Sequence, residues 1–161
     1  MGNLNLIRTN SENIDFKNLV KDLDQYLAEI DGEEHSFYAQ YNQLSQINHC
    51  VILYLDGCTV SFGAFKFYEN QTVEIKRMYT KPEFRGYNFA RMILIELENW
   101  ALDEVFSKCI LETGKRQKSA VKLYQKQGGN IIPNYGQYTE VENSICFEKV
   151  LKVKWLNCLL L

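Results

Sequence analysis

At 161 residues, with 46% hydrophobic and 24% charged side chains, the chain has the make-up of one globular domain of ordinary size, long enough to bury a core. A formal charge of −2 argues against a general nucleic-acid binder. The five cysteines are odd in number and include no Cys-x-x-Cys pair, and four fall in apolar strand-like runs, so buried reduced thiols are expected rather than disulfides or a metal site.

Residues 4–8 read as a short first strand. Phe16, Leu19, Val20, Leu23, Leu27 and Ile30 recur at helical spacing behind Asp15, a residue type that caps helices, so residues 15–30 are expected as an amphipathic helix that Asp31-Gly32 ends. A second, shorter helix over 34–44 would carry Phe37, Tyr41 and Leu44 on one face. Residues 50–55 and 60–68 read as strands about the hairpin turn Asp56-Gly57, and Glu69-Asn70-Gln71 turns the chain into a strand over 72–80. From 89 to 106 apolar residues, Val105 among them, cover more than one stripe, which predicts a helix well buried against a sheet. A strand over 109–114, a helix over 117–128 and strands near 130–132 and 144–150 complete a single domain, residues 1–151. No repeat, linker or low-complexity tract interrupts it.

The junction after the strand over 72–80 carries the most information. Pro82 ends the strand, and Arg85-Gly86-Tyr87-Asn88-Phe89-Ala90 forms a tight turn that opens the long helix. Such a turn presents several backbone N–H groups and the positive end of a helix dipole to one point, which suits an anion, above all a phosphate or pyrophosphate. Arg85 adds a full charge at its mouth.

Residues 85–90 resemble the (Gln/Arg)-x-x-Gly-x-(Gly/Ala) signature of the GNAT superfamily, the acyl-CoA-dependent N-acetyltransferases, with Asn88 in place of the middle glycine. Asparagine is the residue that best replaces glycine where φ is positive. Residues 117–128 resemble the second signature, Asn-x-x-Ala-x-x-Leu-Tyr-x-x-x-Gly, with Gln117 for the asparagine and Gly129 where an aromatic is usual. The likeness extends over roughly residues 3 to 151 and takes in residues 132–138 and 144–149, which are similar to segments of small bacterial GNAT proteins. It implies a mixed α/β fold: a largely antiparallel, splayed sheet of about seven strands flanked by about four helices. It also implies acetyl-CoA as cosubstrate, with no metal. Arg85, Gly86, Tyr87, Asn88, Phe89 and Ala90 would grip the cofactor's pyrophosphate, Gln117 would also bind the cofactor, and the backbone of Met78, Tyr79 and Thr80, freed where the strands splay, would pair with its pantetheine amides. For those three residues an ordinary sheet ladder is the other reading.

The implied reaction is attack of a primary amine on the thioester within a ternary complex. An alkyl amine is neutral to only about one part in a few thousand at pH 7, so a proton acceptor must be near. By resemblance Glu74 is the candidate base. Strand alternation puts it on one face with Lys76, and Val73, Ile75 and Arg77 on the other, so a plain Glu74–Lys76 pair is equally open. Glu112 is the second candidate, as base or as a structural hydrogen-bond partner. By resemblance Tyr124 would donate a hydrogen bond to the departing sulfur; otherwise its ring packs between helix and sheet.

Tyr135 and Tyr138, on a loop bounded by Pro133 and Gly136, are candidates to line the acceptor pocket or to cover the core. Lys115, Arg116, Lys118, Lys122 and Lys126 read first as a solvated face. His35 and His49 lack metal-site spacing, and no Walker loop, Gly-x-Gly-x-x-Gly or His-Glu-x-x-His occurs. The absence of a basic-then-apolar leader or a membrane-length apolar run points to the cytoplasm, with neither membrane nor nucleic acid as partner. Residues 152–161 are an apolar extension; packing on the sheet, exchange within a homodimer and loose order all remain open. A non-catalytic acyl-CoA-binding or interaction module on the same scaffold is the alternative to an enzyme, in view of Asn88, Gln117 and Gly129. The acceptor is not legible.

Overall fold

The structure, a computed structural model, describes residues 2–40, 43–44 and 47–152. Tyr41, Cys158 and the apolar extension from 153 onward lie outside the described residues. The chain runs β1 (Leu4–Thr9), α1 (Ile14–Asp31), α2 (His35–Ala39), β2 (His49–Leu55), β3 (Cys58–Glu69), β4 (Thr72–Thr80), α3 (Phe89–Asp103), β5 (Lys108–Gly114), α4 (Lys118–Lys126), β6 (Asn130–Ile132) and β7 (Ser144–Val150). The seven strands form one sheet in the order β1-β2-β3-β4-β5-β7-β6, antiparallel throughout except between β4 and β5.

Strand periodicity divides the core. Val51, Leu53, Phe65, Val73 and Ile75 face α3 and bury against Ile93, Leu97 and Ala101. Cys50, Ile52, Phe62 and Ala64 face α1 and meet Phe16, Leu19, Val20 and Leu23. Leu97 is fully buried, so truncation to alanine would cost about 2–5 kcal/mol. Gly63 lets β3 lie close under α3: a Cβ there would come within 2.5 Å of Met78 Sδ and 2.7 Å of Ile93 Cγ2.

Several local expectations are corrected. The cap of α1 is Asn13, whose Oδ1 accepts from the N–H of Asp15 at 2.9 Å and of Phe16 at 3.1 Å; Asp15 instead accepts the Tyr54 hydroxyl. The second helix is shorter than its apolar spacing suggests, five residues after a single 3-10 turn at Gly32–Glu34. The long helix ends at Asp103, before Val105, which takes φ 68 and is 76% exposed. There the N–H of Val105 bonds the carbonyl of Leu102 and that of Phe106 bonds the carbonyl of Ala101, a helix-ending pattern that normally places glycine where Val105 stands. Cys50, Cys109 and Cys146 are buried free thiols, whereas Cys58, at the hairpin, is exposed.

Two irregularities in β4 shape the cleft beside it. Phe62 pairs with Tyr79 and Ala64 with Lys76, so Gly63 stands opposite two residues, and Arg77 takes φ 60: a β-bulge. The extra residue resets alternation. Arg77 therefore joins Glu74 and Lys76 on the α1 face, where it pairs with Asp24, while Met78 packs on the α3 side and Tyr79 on the α1 side. The expectation that Arg77 opposes Glu74 fails for this reason. The parallel ladder between β4 and β5 stops after Thr72–Lys108, Val73–Cys109 and Glu74–Ile110, and beyond it the strands part.

Candidate active site

The parted ends of β4 and β5 open a cleft of about 560 Å³, walled by one face of α1, by the start of α3 and by the start of α4. At one end, β4 gives way to a 3-10 turn at Pro82–Phe84, then to Gly86 at φ 87 and Asn88 at φ 65. Asn88 thus adopts the left-handed conformation that its position in the turn requires. Its side chain makes no capping bond, so the orphan N–H donors of the first turn of α3 are not satisfied by the capping residue. Gln117 precedes α4 in the same way, without a side-chain cap. Two helix N-termini therefore open into one cleft, whose lining also includes Arg85, Arg91 and Lys118, with Arg116 set towards Glu34 and Asp31. This end is built for negative charge.

Gly86, Asn88, Phe89, Ala90 and Gln117 line the cleft; Tyr87 does not, standing 66% exposed with its ring stacked on Phe89. Arg85 donates from Nε to the carbonyl of Thr80 at 3.1 Å, and its guanidinium lies 4.6 Å from the Tyr26 ring centroid, so it reaches from the turn back to α1. Met78, Tyr79 and Thr80 all line the cleft, but the carbonyl of Tyr79 accepts from Ser61 Oγ at 2.9 Å on the β3 side. By strand alternation the backbone that faces the cleft is that of Met78 and Thr80.

The two candidate bases differ sharply. Glu74 is 2% exposed, lies outside the cleft lining and holds Oε1 3.0 Å from Lys76 Nζ. Lys76 in turn donates to the Tyr138 hydroxyl at 3.0 Å. Burial pulls the pKa of Lys76 down, but the Glu74 carboxylate and Tyr138 outweigh it and the net shift is upward, so the ammonium is held charged. Glu112 does line the cleft. Ser144 Oγ donates to its Oε1 at 2.6 Å. Burial pushes its pKa up to about 7; the Ser144 bond and Lys76 pull against that, while Glu74 and Asp31 add to it. A carboxyl that titrates near neutrality can both take and hold a proton.

Tyr124 lines the cleft at 6% exposure. Burial, and then the charge of Glu112, raise its pKa, so the phenol stays protonated and available as a donor. Tyr138 also lines the cleft; Tyr135 does not, its ring packing against Tyr68 and Tyr138. Asp31, Tyr38 and Tyr26 line the cleft too and escaped the sequence reading. Asp31 read only as a helix terminator. Tyr26 and Tyr38 sit in helical runs whose faces become assignable only once the sheet has placed α1 and α2.

The sequence profile of the acetyltransferase (GNAT) family matches residues 16–129. The chain belongs to that family. The IAA acetyltransferase of Azospirillum brasilense is 30% identical over 83% of this chain and 88% of its own. Among solved structures, the PaiA N-acetyltransferase of Thermoplasma acidophilum in complex with coenzyme A superposes with TM-score 0.68 at 16% identity, covering 92% of this chain and 99% of that one. The IAA acetyltransferase of Bacillus cereus does so with TM-score 0.68 at 20% identity, covering 92% and 100%. At those identities the two structures speak for the fold. Among the described residues no helix is long and apolar enough to cross a membrane.

Proposed function

We propose that this GNAT protein transfers an acetyl group from acetyl-CoA to a primary amine by direct attack within a ternary complex. The observation that carries the reading is Glu112, a carboxyl poised near pH 7 in the same cleft that receives two helix N-termini. The uncapped donors at the start of α3 fit a pyrophosphate, and Gly86, Asn88, Phe89, Ala90 and Gln117 are the residues to hold it, with Met78 and Thr80 offering backbone to the pantetheine arm. Acetyl-CoA supplies the activated acyl group; the protein supplies position and proton handling.

An amine arrives protonated and must lose its proton before it can attack. Glu112 is the acceptor for that proton, because it faces the cleft and is ionised for part of the time at neutral pH. Glu74 holds Lys76 charged beneath it, and the charge of Lys76 tempers the pKa of Glu112. Tyr124, protonated and buried at the cleft wall, is the donor to the departing sulfur.

Acetyl-CoA and a panel of primary amines, followed by free-thiol release and product mass, test the reading. Amine-dependent release is expected. Coenzyme A binding by calorimetry without thiol release for any amine would leave the binding-module alternative.

A further inference from the structure

The end of the cleft away from the phosphate turn holds an unexplained charge. Asp31 is the last residue of α1 and is 6% exposed, lining the cleft. Among the described residues none gives its carboxylate a hydrogen bond or an ion pair. The last turn of α1 has no basic residue to offset the negative end of the helix dipole. A buried, unpaired carboxylate at that end is unfavourable on both counts. Burial accordingly raises its pKa; His35 and Arg116 act against that, Glu34 with it.

The protein's own cations nearby are engaged elsewhere. Lys76 holds Glu74 and Tyr138, Arg77 pairs with Asp24, and Arg116, half exposed, lies 3.5 Å from Glu34. His35 and Arg116 offset the charge of Asp31 only at a distance, and a buried carboxylate with no bonded partner, facing a cleft, is the mark of a place reserved for a ligand.

We propose that Asp31 binds a second, permanently charged nitrogen of the acceptor, so that the preferred acceptor is an aliphatic diamine. This rests on the acetyl-transfer reading above. The two cleft carboxylates suit different tasks. Glu112 must relieve the reacting amine of its proton. An unpaired anion such as Asp31 favours the charged form of any amine beside it, which would suppress attack, so it suits the nitrogen that does not react. Leu23 and Leu27 precede Asp31 at four-residue spacing on α1 and line the same cleft, giving the methylene spacer an apolar wall. An amino acid would instead bring its carboxylate towards Asp31 and Glu112.

The experiment compares diaminobutane and diaminopentane with butylamine, pentylamine and 5-aminopentanoate as acceptors for the wild type and for Asp31→Asn. The wild type should show a KM for the diamines lower than for the matched monoamines by about tenfold or more, and no measurable use of the amino acid. Asp31→Asn should raise the diamine KM by about the same factor, with kcat within about threefold and the monoamine KM unchanged. Without any acetyl-CoA, diaminobutane should raise the melting temperature of the wild type and not that of Asp31→Asn. Equal KM for diamine and monoamine in the wild type, with acetylation intact, overturns the inference and leaves the transferase reading standing. An Asp31-dependent melting shift with no amine acetylated keeps the site and removes that reading. Absence of both the shift and the KM difference overturns the inference.

Discussion

The two ends of the cleft solve opposite problems with the same device. At the proposed phosphate end α3 and α4 point their N-termini inward, and Arg85, Arg91 and Lys118 reinforce the positive field. At the proposed acceptor end α1 presents its C-terminus, and Asp31 and Glu112 reinforce the negative one. On the proposed reading, an anionic cofactor and a cationic acceptor would thereby be sorted along one groove before either makes a specific contact. Between the ends runs β4, whose bulge at Arg77 brings Arg77 to the α1 face beside Lys76, and the two pair with Asp24 and Glu74 rather than with Asp31 or Glu112.

The largest expected effect breaks the acceptor end. Glu112→Gln keeps a side chain able to accept from Ser144 but cannot take a proton, so turnover should fall by about 10²- to 10⁴-fold. In the wild type, kcat/KM should rise with pH and level off once Glu112 is ionised, above about 7; the variant should lack that bend. The same residue gives a stability signature. Its folded pKa lies above the ordinary value of 4.5, so the penalty for the buried charge is fully present above about pH 7 and gone below 4.5. The wild type should therefore gain on the order of 3 kcal/mol as pH falls through that window, and the variant should not. Superimposable pH–rate profiles would remove Glu112 from catalysis.

Next is Glu74→Gln, which tests whether Glu74 supports the site or acts in it. It leaves Lys76 nearly buried without its counter-charge, so stability should drop by about 3 kcal/mol, measured by denaturant unfolding. The bend in the pH–rate profile should survive. A rate that instead climbs with unit slope into alkaline pH would return the role of base to Glu74.

At the phosphate end, Gly86→Val should weaken coenzyme A binding by about 1–3 kcal/mol in calorimetry with little change in the melting temperature. No neighbouring atom would meet the new Cβ, but φ 87 is a conformation that a β-branched residue resists, so the turn itself must shift. Unchanged affinity would move the phosphate site off this turn.

The contrast between the two ends also explains what could be read from the sequence. The turn into α3 is contiguous: six residues from Arg85 to Ala90 contain it, its positive φ positions and the helix start, so its shape was legible from local chemistry. The strand over 72–80 was legible to the residue, because Val73, Ile75 and the flanking turns mark it. The proposed acceptor end draws Asp31, Tyr38, Glu112 and Tyr138 from four separate segments, and only topology brings them together. The bulge left a faint trace, since apolar Met78 falls out of step with Val73 and Ile75. Val105 left none, because it occupies the helix-ending position that glycine usually marks.

The finest test concerns Asn88, where this chain departs from the family's glycine. At φ 65 a residue with a side chain carries a conformational cost of about 1 kcal/mol, which asparagine bears better than most. Asn88→Gly removes that cost in the folded turn but frees the unfolded chain, so net stability should change by only about a few tenths of a kcal/mol. Affinity for coenzyme A separates two ideas about the side chain. If it merely tolerates the turn, removing it clears space beside the open N–H donors, and binding should be equal or severalfold tighter. If the amide itself reaches the phosphates, binding should weaken by about tenfold, the scale of a hydrogen bond to a charged group. Since Asn88 makes no capping bond in the free protein, its amide has no role there that glycine would forfeit, and equal or tighter binding is the expected result.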